Sequence, residues 1–171
     1  MAKYYLGCNI DFRAYESIEA AIEKELHDGM MLSALSSVTG VDASTVQNWV
    51  KRGYLENPQG KKYSQSHAAR IILLNTLKEA VPLERAAEII EKTVSDCKVS
   101  EKQLLAALLQ TLVRATRFNS IDKDSLNSVV NSQLRDMGYS DKTLSKAVFT
   151  LALAALSASY RAQAAEQAQS L

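Results

Sequence analysis

The chain has 171 residues, of which 47% are apolar, and its formal net charge is +1. This length suits one domain, or one small domain with a helical extension, and the apolar fraction excludes a globally disordered chain. A net charge so close to zero argues on its own against a nucleic-acid-binding protein, although an uneven distribution of that charge reverses the inference.

The first part of the chain is predicted to form three helices. Asp11 is expected to cap the first helix, whose apolar positions share one face: Phe12, Tyr15, Ile18, Ile22 and Leu26. A short apolar helix over 32–38 then leads into a glycine-containing turn at 39–42. Asp42 is expected to cap the following helix, which turns Val46, Trp49 and Val50 toward the core.

A Pro/Gly turn cluster at 57–60 follows, and Lys61 and Lys62 come directly after it. We predict a small β-wing at 57–63, with Tyr63 packing back on the core. Ser64 is expected to cap a helix over 65–78.

Four further helices are predicted in the C-terminal half. They begin near Pro82, at a Ser100–Gln103 capping box, at Asp122 or Asp124, and at Ser140, and the last helix runs into an Ala/Gln-rich tail. The predicted organisation is an N-terminal helix over 1–29, a winged helix-turn-helix over 30–80 and a helical region over 81–171 that serves dimerisation or effector binding.

A helix, a tight turn with a glycine and a second helix form the helix-turn-helix pattern. Such a module places its second helix in the DNA major groove and uses the neighbouring loop to touch phosphates. The pattern therefore predicts a DNA-binding head.

The residue order in this region also resembles known families. GVDASTVQNWVKRGYL followed by NPQGKKYSQSHAARIILLNTLK resembles the head of the MerR-type winged helix-turn-helix regulators. It is closer to a bacterial family of regulators known as domain of unknown function 1836, and with DFRAYESIEAAIEKEL the resemblance spans roughly residues 11–94. It implies an all-α fold with a small β-wing, in which a MerR-like head is followed by a helical C-terminal region, and it implies binding to double-stranded DNA.

The charge distribution agrees with this prediction. Residues 1–50 carry three basic and seven acidic residues, residues 51–70 carry five basic and one acidic residue, and the remainder carries twelve basic and eleven acidic residues. Positive charge is therefore concentrated on the second helix of the head and the predicted wing, where a phosphate-contacting face belongs.

Eight residues are the predicted DNA contacts. Six lie on the helix face opposite Trp49 and two lie in the wing: Ser44, Thr45, Gln47, Asn48, Lys51, Arg52, Lys61 and Lys62. Gln and Asn can bond adenine edges, Ser and Thr reach phosphates, and Lys and Arg do both. The alternative is an ordinary solvated helix face with a chance pair of loop lysines.

Other chemistry is not expected. Cys8 and Cys97 are solitary and far apart, which argues against a disulfide framework or a zinc site. His27 and His67 are predicted to be surface histidines without a partner, and Trp49 a core residue. Asp122 and Asp124 lack the rest of a calcium loop. We find no catalytic constellation, so no enzymatic activity, cofactor or metal is predicted.

The predicted protein is soluble and cytoplasmic. No apolar run of useful length precedes Phe12, and the most apolar window, 147–156, is about half the roughly 20 residues of a membrane helix.

The predicted function is a sequence-specific DNA-binding transcriptional regulator. The alternative is a helical protein-interaction or scaffold module that has the helix-turn-helix shape without binding DNA, and the near-neutral charge favours it. A homodimer is predicted through a C-terminal stripe of Leu144, Val148, Leu151, Ala155 and the small residues beyond. The alternative for this stripe is the internal core of a monomer.

Overall fold

The computed structural model describes residues 6–115 and 122–169. Within these ranges the chain forms eight α-helices and no strand, which confirms the predicted all-α class. The helices are α1 Ile18–Glu25, α2 Leu32–Thr39, α3 Ala43–Lys51, α4 Gln65–Leu77, α5 Leu83–Cys97, α6 Glu101–Ala115, α7 Lys123–Asp136 and α8 Lys142–Gln169. A 3₁₀ turn, Phe12–Ala14, precedes α1.

Helix α4 lies at the centre of the molecule. It contacts α2, α5, α6 and α8, and it buries residues on nearly every side: Ala68, Ala69, Ile71, Ile72, Leu73, Leu74, Thr76 and Leu77. A helix that is apolar all round is stable only when other elements enclose it. One continuous core, which runs from Leu6 to Leu156, therefore joins the predicted head to the helices beyond residue 80.

The N-terminal helix begins later than the sequence predicts. Asp11 does not start a helix that reaches Leu26; instead the 3₁₀ turn comes first and α1 begins at Ile18. The reason is the cap at Ser17, whose side chain accepts a hydrogen bond from the Ala20 N–H at 3.1 Å. Phe12 is nevertheless buried, as predicted.

Two other predicted helix starts need correction. Asp42 occupies the N-cap position of α3, but its side chain makes no capping hydrogen bond. The last helix begins at Lys142 rather than at Ser140. There the Asp141 carboxylate accepts hydrogen bonds from the Thr143 and Leu144 N–H groups at 2.7 and 2.9 Å.

The predicted β-wing is not confirmed, because residues 57–63 form a tight turn with only an isolated bridge between Gln59 and Lys62. Hydrogen-bonded and non-hydrogen-bonded pairs alternate along a hairpin, so the next bonds would join Asn57 and Ser64, but the Ser64 N–H already donates to His67 Nδ1. Tyr63 pairs on its outer side with Met30, through N–H to O bonds of 2.8 and 3.0 Å in the two directions. Ser64 is already the cap of α4. Hairpin pairing therefore stops after one residue pair.

The stripe predicted to form a dimer belongs to the chain's own core. Leu144, Val148, Leu151 and Ala155 are at most 1% exposed, so these side chains are unavailable to a second copy. For these four residues the alternative of an internal core holds, and a homodimer through other residues of the C-terminal helices stays a prediction. Helix α8 is long and apolar enough to cross a membrane by length and composition, and half of its most apolar window is buried in the protein.

The turn between α2 and α3 is held against the N-terminal segment. Gly40 has a left-handed backbone (φ +70°), and a Cβ built there would overlap the carbonyl oxygen of Gly7. Asn9 adds two bonds to the end of α2, from its N–H to Val38 O at 3.0 Å and from its Nδ2 to Ser37 O at 2.7 Å. These contacts fix the position from which α3 begins.

We expect Gly40→Ala to lower the free energy of unfolding by about 2–4 kcal/mol, because left-handed strain adds to a backbone clash. Gly138→Ala is the matched control. Gly138 also has a positive φ (+83°), but its Cβ would meet nothing within 4 Å. The control should cost about 1–2 kcal/mol. Chemical denaturation of both variants checks the prediction, and equal losses would contradict the close approach.

Candidate nucleic-acid interface

The turn that joins α2 to α3 is well ordered by hydrogen bonds. Gly40 N–H bonds Ser36 O at 3.0 Å, and the Ser36 hydroxyl donates to Val41 O at 2.6 Å. The buried Thr39 hydroxyl donates to Leu35 O at 2.8 Å. Helix α3 is thus attached to α2 by a turn with little freedom, as a helix that must present a fixed face requires.

Helix α3 has one buried and one solvent-facing side. Val46 and Trp49 are buried, which confirms the predicted core role of Trp49. The opposite face exposes Ser44, Gln47, Asn48 and Lys51, and Thr45 lies half-buried at its edge. Within the described ranges no hydrogen bond or ion pair engages the side chains of these five residues. The face is therefore open to a partner.

Lys61 and Lys62 lie on a tight hairpin turn beside this module. Gly60 and Lys61 have successive positive φ angles (56° and 64°), the pattern of a type I′ turn, and Lys62 N–H bonds Gln59 O at 2.9 Å. Both lysines are exposed and make no ion pair with the described part of the chain. The turn therefore fixes the backbone positions from which the two lysine side chains extend.

His67 anchors this turn, contrary to the prediction of a surface histidine without a partner. The Ser64 N–H donates to His67 Nδ1 at 3.1 Å, while the Ser64 hydroxyl accepts from the His67 N–H. Because Nδ1 accepts from the backbone N–H, the ring proton lies on Nε2, which faces Glu56 O at 3.2 Å. The ring also packs edge-on against Tyr63. The sequence signal was Ser64-x-x-His67, a capping box in which histidine replaces the usual glutamate.

Arg52 differs from the lysines because it is already paired. Its Nη2 lies 2.5 Å from Glu84 Oε1, and its guanidinium carbon lies 4.8 Å from the centroid of the Tyr54 ring. The Tyr54 hydroxyl donates to the same Glu84 oxygen at 2.8 Å. The pKa of the Glu84 carboxyl is lowered, first by the N–H of its own residue and then by Tyr54 and Arg52. Sequence reasoning missed this group of three side chains, since its shared acceptor, Glu84, lies 32 residues from Arg52.

Arg70, the other arginine of the basic segment, has a structural role. Its side chain is 15% exposed, its Nε donates to Tyr54 O at 2.8 Å, and it pairs with Glu91 and Glu101 at 3.3 and 3.4 Å. Of the five basic residues between 51 and 70, only Lys51, Lys61 and Lys62 are left without an ion pair to the described residues. The available positive charge is smaller than the sequence count suggests.

Other reactive groups are buried or dispersed. No group of three or more His, Cys, Asp or Glu residues that could hold a metal lies in the described part of the chain. Partial burial and then the neighbouring Asp141 raise the pKa of the Cys97 thiol to about 11, and burial raises that of Cys8. A nucleophilic cysteine requires the opposite shift.

These features define a class: an all-helical protein whose helix–turn–helix segment presents an open polar face beside a basic turn. The model of the family described as "Domain of unknown function (DUF1836)" matches residues 20–112, which is more than half of the chain, and the chain belongs to that family. The match begins in α1 and ends within α6. Neither the curated proteins nor the solved structures contain a match. The family part of the predicted resemblance is confirmed, and its name assigns no function.

We expect His67→Ala to lower the free energy of unfolding by about 1 kcal/mol, because the capping box is lost and the Ser64 N–H loses its acceptor. His27→Ala is the control. Among the described residues, the hydrogen-bond contact of the exposed His27 ring is to the carbonyl oxygen of the adjacent Asp28, so its loss should change stability by less than about 0.5 kcal/mol. Urea denaturation measures both changes. A loss at His27 as large as that at His67 would argue against an anchoring role for His67.

Proposed function

We propose that this protein is a cytoplasmic, sequence-specific DNA-binding transcriptional regulator without enzymatic activity. In this proposal α3 enters the major groove and the 59–62 turn contacts the phosphate backbone. The observation that carries it is the exposed face of α3, where the side chains of Ser44, Gln47, Asn48 and Lys51 have no hydrogen-bond or ion-pair partner within the described ranges, on a helix that follows a hydrogen-bonded turn.

The geometry of the head supports a helix-turn-helix function. Helix α2, the turn at Gly40 and helix α3 follow one another as in that motif, and α4 packs behind α2. The turn at 59–62 takes the place of a wing, in a shorter form than MerR-type regulators are expected to have. In this proposal the head is a reduced MerR-like module.

The charges of the head support phosphate contact of limited extent. Lys51, Lys61 and Lys62 are the cations of this region that no described carboxylate neutralises. Each neutralised phosphate releases counterions and adds about 0.9 to the slope of log affinity against log salt. Three contacts of this kind give moderate affinity, which suits a protein of near-neutral total charge.

A single reading helix covers too few base pairs to distinguish one site within a genome, so we propose that two copies bind a two-fold operator. The contact between copies lies outside the buried stripe of α8, since those side chains already fill the core.

Selection of duplexes from a random pool tests DNA binding directly. The protein should enrich a consensus, and the triple variant Lys51→Gln, Lys61→Gln, Lys62→Gln should bind every duplex more weakly, with a salt slope lower by roughly 2–3. The matched control replaces three exposed lysines of α5, α7 and α8 with glutamine: Lys92, Lys123 and Lys142. It should retain the wild-type slope. Absence of both enrichment and salt-dependent binding would favour the protein-interaction module.

Substitutions on α3 should act on sequence preference instead. We expect Gln47→Ala or Asn48→Ala to cost about 1–3 kcal/mol at one base pair and to relax the preference there, because a direct bond to a base edge is lost. Competition binding with single-base variants of the consensus measures this. Uniform weakening on all duplexes, as for the lysine variants, would reassign these residues to phosphate contact.

A further inference from the structure

The edge of α3 that faces α5 carries a closed group of three side chains. Arg52 lies at the C-terminal end of α3, Tyr54 follows in the loop, and Glu84 lies in the first turn of α5. One oxygen, Glu84 Oε1, accepts from both Arg52 Nη2 at 2.5 Å and the Tyr54 hydroxyl at 2.8 Å. The Tyr54 ring lies against the guanidinium.

This ion pair is accessible to solvent. The side chains of Arg52 and Glu84 are 45% and 57% exposed. Exposed ion pairs contribute little to stability and are screened by salt, so the carboxylate can be replaced by another anion with little effect on the fold. Arg52 is also next to Lys51 on the helix that we propose reads DNA, so a backbone phosphate is the anion within reach.

We propose that Glu84 is an internal competitor of the DNA backbone for Arg52. In the free protein Glu84 holds the guanidinium, and on binding a phosphate replaces the carboxylate. Arginine suits this exchange because its planar group bonds carboxylate and phosphate alike. The proposal rests on the proposed DNA-binding function and adds a regulatory contact to the same site.

Tyr54 has a distinct part in this exchange. Its ring can remain against the guanidinium whichever anion is bound, while its hydroxyl stabilises only the state in which Glu84 is held. The competitor lowers affinity for every duplex by a similar factor, because the contact that it blocks is to a backbone phosphate.

Binding to the selected duplex at about 0.1 M salt tests the proposal. Glu84→Gln should bind about three- to tenfold more tightly than wild type, because a competing charge is removed from the interface. The matched control, Glu88→Gln, removes the same charge one turn further along α5, where Glu88 pairs with Arg85 at 2.8 Å. It should change affinity less than twofold. Tyr54→Phe should tighten binding by less than Glu84→Gln does.

A double-mutant cycle separates local competition from a general charge effect. In the Arg52→Gln background, Glu84→Gln should gain no more than Glu88→Gln, because the cation that Glu84 blocks is gone. If wild type binds the duplex and Glu84→Gln binds no more tightly than Glu88→Gln, the proposed competitor role of Glu84 is wrong, while the proposed DNA-binding function is unaffected. The same conclusion follows if the gain persists without Arg52. If wild type binds no duplex, both proposals fail.

Discussion

The fold is built around α4, which other helices must enclose. This helix has apolar residues on nearly every side, so it is stable only when α2, α5, α6 and α8 surround it. That requirement joins the helix–turn–helix segment and the C-terminal helices in one core. The C-terminal helices therefore complete the platform that holds the head, and the buried stripe of α8 is part of that platform.

The two ends of α4 contact the elements of the candidate site. At the start of α4, Ser64 and His67 close a capping box that holds the basic turn, and Tyr63 pairs with Met30. At its other end, Lys78 lies 5.9 Å from the centroid of the Trp49 ring, beneath α3. Within the described ranges, the side chains on the outward face of α3 take no part in these contacts. Arg52, at the C-terminal end of α3, is paired with Glu84, and the proposed exchange of Glu84 for phosphate would link this contact to the proposed DNA binding.

Sequence patterns predicted several features that depend on local chemistry, although the local caps at Ser17 and Asp141 and the role of His67 were missed. The glycine turn at Gly40, the cap at Ser64 and the burial of Trp49 each follow from neighbouring residues, and all are present. Features that depend on distant residues were not predictable. Tyr63 pairs with Met30 from the start of α2, and Arg52 is neutralised by a glutamate 32 residues away. The stripe of α8 has the pattern of either a core or an interface, and only the packing decides between them.

Backbone amide NMR of the full chain, titrated with the selected duplex, tests the central claim most directly. If α3 reads DNA, the largest shift changes should fall on residues 43–52 and 59–62, with a smaller change at Glu84 as its carboxylate leaves Arg52. The amides of α6 and α7 should change little. Changes concentrated on α1 or α6–α8, with none on α3, would contradict the account.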